Sequence, residues 1–196
     1  MARFFSSDHH FGHANVIKYC SRPYASVEAM DKDLIKKWND TVGTDDEVWY
    51  LGDFAMGKKA LPVVKQLNGI KFLISGNHDT CFPGHKKWLK EENVYKDAGF
   101  KYVFSTPQET LIGGFQVLMW HFPYLYGDEG EDIRYKEWRL EDKGKILLHG
   151  HIHEKWLKRR KEINVGIDVW EGLPVSENKV YGAIEDERHF ISNPWG

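Results

Sequence analysis

Five short apolar runs in this chain each end in a cluster of Asp, Asn or His, and this recurrence constrains the fold more than any other feature. "RFFSS" leads into Asp8-His9-His10, "EVWYLG" into Asp53, and "IKFLISG" into Asn77-His78-Asp79. "FQVLMW" leads into His121, and "KILLHG" into His151-Ile152-His153. Runs of this length, rich in β-branched and aromatic residues, read as strands mostly buried on both faces. Helical patterns lie between the first three and after the third. "SVEAMDKDLIKKWNDTV" (26–42) has Ser26 as a cap, acidic residues early and basic ones late. "KKALPVVKQLNG" (58–69) stops at Asn68-Gly69, and "HKKWLKEENVYKDAG" (85–99) is a third helix. The C-terminal half reads as further strands at hairpin spacing: "ETLIGGFQVLMW" turning at Gly113-Gly114, then "KEINVGI" and "KVYGAIED". Strand and helix alternate in the N-terminal half, which predicts an α/β fold.

The bulk numbers bound what such a fold can do. The 196 residues suffice for one domain with a sizeable core, and we read 1–196 as a single domain. A net charge of −2 makes the whole molecule no electrostatic trap for nucleic acid or acidic membranes. No apolar run is long enough to span a bilayer, and "MARFFSSDHH" has no signal-peptide core. Cys20 and Cys81 have no framework spacing and read as thiols in a reducing compartment. The expectation is a cytoplasmic protein with no membrane partner; the sequence is silent on its oligomeric state.

In α/β sheets, ligands gather outside the carboxyl ends of the strands. Eight of the ten histidines (9, 10, 13, 78, 121, 149, 151 and 153) sit in or beside the strand-end clusters. Singly, each cluster has an ordinary reading. Asp8 can cap the next helix, Gly-Asp at 52–53 is a common turn, and Asn77 can form an Asx turn. His121 alone reads as a satisfied strand-end histidine. "HGHIH" (149–153) is the strongest element. On a strand, His149, His151 and His153 project to one side, and three buried imidazoles without a ligand are costly. Together the clusters point to metal. The candidate ligands are Asp8, His10, Asp53, Asn77, His121, His151 and His153, more than one ion needs. Two ions roughly 3.5–4 Å apart sharing one carboxylate fit that number. Imidazole, carboxylate and amide without thiolate suit Mn²⁺ first, with Fe or Zn²⁺ as alternatives.

The ordered set Asp8-x-His10, Gly52-Asp53, Gly76-Asn77-His78-Asp79, His121 and Gly150-His151-Ile152-His153 resembles the calcineurin-like metallophosphoesterase superfamily. The opening "DHHFGHANVI" is similar to its small bacterial and phage phosphoesterases. The resemblance spans residues 8–153 and implies a four-layer αββα fold, with two facing β-sheets flanked by helices and a dimetal centre at one edge. It implies that Asp8, His10 and His153 bind one ion, that Asn77, His121 and His151 bind the other, and that Asp53 bridges them. It also implies a metal-bridging hydroxide as nucleophile, with His78 as the acid that protonates the leaving group. "GDFAMG" (52–57) lacks the second Asp and the Arg of the superfamily's protein phosphatases, which argues against that activity.

His13, Asp79, His149, Tyr124 and Arg134 are candidates to support ligands or to touch substrate. His13 either reaches the pocket or caps the helix near Asn15. His149 either orients a ligand or bonds backbone at its strand end. His9 points away from the metals by alternation. "FPYLYGDEGEDIRYKEWRLEDKGK" (122–145) is either a lid carrying Tyr124, Tyr126, Arg134 and Arg139 over the site or a solvated connection with a short helix. "KWLKRRK" (155–161) is either a solvated hairpin turn or a polyanion contact. The leading expectation is a phosphodiesterase on a small soluble phosphoester or nucleotide. Alternatives are a nuclease on short or single-stranded nucleic acid, and a phosphomonoesterase. Intact ligands argue against a non-catalytic scaffold of the same fold.

Overall fold

A computed structural model of the chain describes residues 1–128 and 133–186. In chain order the elements are β1 (Arg3–Ser6), α1 (Ala14–Tyr19), α2 (Val27–Thr41), β2 (Glu47–Tyr50), β3 (Ile70–Ile74), α3 (Trp88–Ala98) and β4 (Tyr102–Phe104). There follow β5 (Gln108–Ile112), β6 (Phe115–Met119), β7 (Ile146–His149), β8 (Lys158–Arg159), β9 (Glu162–Asn164), β10 (Val175–Ser176) and α4 (Glu177–Glu185). They form two five-stranded sheets flanked by helices, ordered β10-β1-β2-β3-β4 and β5-β6-β7-β9-β8. Strands β1 to β4 are mutually parallel, as are β6, β7 and β9. The carboxyl ends of β1, β2 and β3 therefore share one edge of the first sheet, and those of β6 and β7 share one edge of the second.

Alternation along the central strands makes two cores. Val48, Tyr50 and Leu73 face α2 and pack on Met30, Leu34 and Trp38, which recur at helical spacing. Phe5, Leu51 and Ile74 face the other way, onto Val117, Met119 and Leu147 of the second sheet. Burial on both faces explains why these strands read as continuous apolar runs. The Ser26 hydroxyl accepts from the Ala29 amide and starts α2 as expected. Gly113 and Gly114, both at positive φ, turn the β5–β6 hairpin.

Two elements differ from expectation. Residues 58–69 form only a short 3₁₀ segment, Leu61–Gln66. Gly69, at positive φ, follows soon after and ends the segment before β3. "KVYGAIED" is not a strand but most of α4, with the Ser176 hydroxyl accepting from Lys179 N. Val180 is fully buried there, and Tyr181 and Ile184, one and four residues on, pack against the same core.

Candidate metal centre

The five polar clusters meet at the shared sheet edges. The loops after β1 and β2 run side by side: Asp8 N donates to Gly52 O, His10 N to Asp53 O, and Phe11 N to Phe54 O. Among the described residues, nine non-glycine residues have positive φ. Five of those nine are Asp8, His10, Asp53, His151 and His153. Left-handed backbone is unfavourable for such residues and persists where surrounding structure enforces it. The enforcement is visible. A Cβ on Gly76 would collide with Asp53 Oδ1 and His121, and one on Gly150 with Asp8 Oδ2 and Ser7 Oγ. These glycines let one loop backbone lie directly against the Asp and His side chains of another.

Asp53 sits between two imidazoles, its Oδ2 3.4 Å from His121 Nε2 and 3.7 Å from His10 Nε2. Its Oδ1 accepts from His78 N at 2.8 Å. Burial opposes its ionisation, but the charge and hydrogen bond of the facing His121 outweigh burial and hold the carboxyl well below its ordinary range. His121 Nε2 also lies 3.1 Å from Asn77 Oδ1. Asp8 Oδ2 accepts from Ser7 Oγ at 2.6 Å and from His151 N at 3.0 Å. Asp79, also buried, accepts from Asp53 N, Gly76 N and Phe54 N at 2.8, 2.9 and 3.1 Å. It ties the β2 and β3 loops together. Burial, then repulsion from Asp53, pushes its pKa up to about 7.

Whether these residues suit metal can be judged from their unmet valences. Both ring nitrogens of buried His10, and Nε2 of His151, have no hydrogen-bond partner; Nε2 of His9 and His149 and Nδ1 of His13 share this, and what sets His10 apart is that its Nε2 faces Asp8 and Asp53. Buried imidazole nitrogens normally find a partner. Burial also pushes the pKa of His10 and of His151 well down, which keeps the rings neutral, the form that ligates. Ligand atoms of Asp8, His10 and His153 lie within 4.8 Å of one another, as do those of Asp8, Asp53 and His121. The donor set fits divalent ions.

The remaining expected residues divide. His78 is exposed and lines a cavity of about 430 Å³, together with His10, Asp53, Asn77, His151 and His153. His13 lines it too, making no side-chain cap to α1, and Arg134, Tyr135 and Lys155 form part of its walls. His9 turns away into the core, bonded to Tyr50 Oη and stacked on Phe11. Two expectations need correcting, the strand-face geometry of "HGHIH" and the placement of Tyr124 and Arg139 over the site. The strand ends at His149, so "HGHIH" is strand followed by a tight left-handed loop rather than one face of a strand. Of the two readings of His149, the backbone-bonded one matches its contacts: Nδ1 lies 2.8 Å from Gly150 O and the ring packs on Trp156. Tyr124 is fully buried away from the cavity, its hydroxyl donating to Lys145 O, and Arg139 is buried at a separate groove. Segment 122–145, read as either a lid or a connection with a short helix, carries a 3₁₀ turn at Lys136–Trp138 and puts Arg134 and Tyr135 in the cavity wall; residues 129–132 lie outside the described residues.

Sequence reasoning missed Arg22 and Asp168. Asp168 Oδ2 lies 2.9 Å from His153 Nδ1, and Arg22 grips both Asp168 oxygens at 2.7 and 2.8 Å. Asp168 follows the apolar run "INVGI", the same arrangement that marked the other clusters, and that signal was available. Cys20 and Cys81 are free and buried, with Cys20 beside His153 and Asp168. No helix among the described residues is long and apolar enough to cross a membrane.

The calcineurin-like phosphoesterase superfamily domain matches residues 1–169. The chain is 38% identical to the Gene 66 protein of Mycobacterium phage L5, covering 92% of each. It is 34% identical to an uncharacterized protein of Methanocaldococcus jannaschii, covering 91% of this chain and 89% of that one. The crystal structure of a protein of unknown function from Aquifex aeolicus superposes with a TM-score of 0.66 at 22% identity. That match covers 93% of this chain and 99% of the other, and it supports the two-sheet fold. With the strand-end Asp/His clusters in place, the chain belongs to the calcineurin-like phosphoesterase superfamily and is a metal-dependent phosphoesterase.

Proposed function

We propose that the protein is a two-ion phosphodiesterase acting on a small soluble phosphoester, a nucleotide being the leading class. Asp8, His10 and His153 hold one ion, Asn77, His121 and His151 hold the other, and Asp53 serves both. Mn²⁺ is the proposed native metal, with Fe or Zn²⁺ as alternatives. The observation that carries this reading is His10, buried with both ring nitrogens unpartnered and its Nε2 4.0 Å from Asp8 Oδ1 and 3.7 Å from Asp53 Oδ2.

When bound, the ions supply an acidified water and neutralise charge on the phosphoryl oxygens. The chain does the rest. Asp79 fixes the loops that carry Asp53 and Asn77. His78, exposed at the cavity and 5.2 Å from His10 between ring centroids, protonates the departing oxygen. Arg134 and Lys155 place positive charge in the cavity wall, where an anionic substrate enters. His13 and Tyr135 shape the same wall.

Within the basic run 155–161 only Lys155 lines the cavity, and the contacts of the three charges 158–160 support a small substrate over a nucleic-acid chain. Lys158 donates to the carbonyls of Ala183, Ile184 and Asp186 at the end of α4. Arg159 pairs with Glu162, and Arg160 with Asp128. These charges are spent within the protein. The free cysteines accord with a reducing compartment, and we place the activity in the cytoplasm.

The test is hydrolysis of bis-p-nitrophenyl phosphate beside p-nitrophenyl phosphate by metal-stripped protein titrated with Mn²⁺. The reading expects activity that saturates near two ions and favours the diester. A monoester preference overturns the phosphodiesterase assignment, and steep loss with added salt on oligonucleotides favours the nuclease.

A further inference from the structure

The two proposed metal positions are supported from behind by different chemistry. His121, of one position, sets Nδ1 2.7 Å from a neutral acceptor, the Leu51 carbonyl. His153, of the other position, sets Nδ1 2.9 Å from the carboxylate of Asp168. That carboxylate is fully buried and gripped through both oxygens by Arg22, itself only 3% exposed. The remaining Arg22 donors go to the carbonyls of Asp8 at 2.6 Å and His9 at 2.8 Å and to Met30 Sδ at 3.6 Å. One guanidinium thus locks the backbone of Asp8 and, through Asp168, the ring of His153.

We propose that the buried Arg22–Asp168 pair makes the Asp8/His10/His153 position the tighter of the two and the first to fill. The inference rests on the two-ion reading above. A carboxylate acceptor fixes the imidazole tautomer, leaving Nε2 for the metal, and increases the basicity of the ring as a ligand. The bidentate fork holds that carboxylate in one orientation, which a lysine does not do. His10 and His151 each keep open ring nitrogens, so the difference between the positions lies behind His153 and His121: a clamped carboxylate, with Asp8 held by the same guanidinium, against a neutral carbonyl. Arg22 and Asp168 are positioning residues, acting through Asp8 and His153. Cys20 also lies within 4.8 Å of the His153 and Asp168 ligand atoms, but Asp168 could ligate there only by leaving its buried ion pair.

The experiment is calorimetric titration of the metal-stripped full chain with Mn²⁺, with near-UV circular dichroism to confirm the fold of each variant. The wild-type protein is expected to show two classes of site of unequal affinity. Asp168→Asn keeps the shape and removes the charge; it is expected to weaken the tighter class about 10–100-fold and leave the weaker one unchanged. Arg22→Lys reads the same quantity with a smaller shift should Asp168→Asn not fold. Cys20→Ser is expected to keep both classes. Equal wild-type classes, or an Asp168→Asn protein in which both classes weaken alike, the weaker one alone shifts, or neither moves, overturn the inference while leaving the two-ion reading intact. Loss of the tight class in Cys20→Ser does so too. A wild-type chain that binds no Mn²⁺ overturns the two-ion reading itself.

Discussion

His121 Nε2 lies 3.4 Å from Asp53 Oδ2, while the opposite ring nitrogen is anchored 2.7 Å from the Leu51 carbonyl. The ring is wholly buried, which disfavours its cation, but Asp53 outweighs burial and pushes the pKa up to about 9. In the unfolded chain the same group titrates near its ordinary value of about 6.5. Between these values the native state holds a proton that the unfolded state has released. The stability this contributes is fully present below about pH 6.5 and is lost as pH rises to about 9. Metal-stripped protein is therefore expected to lose thermal stability across that window. Metal-loaded protein, whose His121 is already deprotonated, is expected to lose less. Melting temperatures at half-unit pH steps check this; identical profiles for the two forms would contradict the pairing.

His78→Ala is expected to retain both ions, because His78 contributes only its backbone amide to Asp53. Turnover should fall about 10²–10⁴-fold on esters with poor leaving groups and much less on p-nitrophenyl esters, whose leaving group needs little protonation. The rates plotted against leaving-group pKa give the answer. A uniform loss across the series, or a loss of bound metal, would remove His78 from the acid role.

Asp53→Asn is expected to lower occupancy of both ions together, since Asp53 Oδ2 faces His10 of one position and His121 of the other. Elemental analysis after dialysis reads it. Full occupancy with normal turnover would exclude a shared carboxylate.

Much of this site is legible in the sequence because chain order and strand ends carry it. Asp8, Asp53, Asn77, His121 and His151 each follow an apolar run, and parallel strands bring such ends to one edge. What was not legible lies where local pattern and tertiary context part. "KVYGAIED" carries β-favouring Val, Tyr and Ile, and only the cap at Ser176 and the packing of Val180, Tyr181 and Ile184 make it helical. His151 and His153 alternate as a strand would, but both take left-handed backbone that no periodicity announces. Tyr124 reads as a binding-loop aromatic, yet it is interior. Arg22 and Asp168 stand 146 residues apart, and no local spacing pairs them.

Gly150→Ala tests the close approach of the last loop to the first. The added Cβ would meet Asp8 Oδ2 and Ser7 Oγ, which bond each other at 2.6 Å. Overpacking of this kind costs about 1–3 kcal/mol, and it should be read in chemical denaturation of the metal-stripped protein. Mn²⁺ affinity should fall with it, because a ligand is displaced. Unchanged stability and affinity would mean that the loops have room to part.

The central claim is that two ions sit in this one cluster of strand-end side chains, and the most direct measurement is anomalous scattering at the manganese edge from crystals grown with Mn²⁺. The account predicts two peaks. One should be ligated by Asp8, His10 and His153, the other by Asn77, His121 and His151, with Asp53 contacting both. A single peak, or a peak held by Cys20, His153 and Asp168 instead, would contradict it.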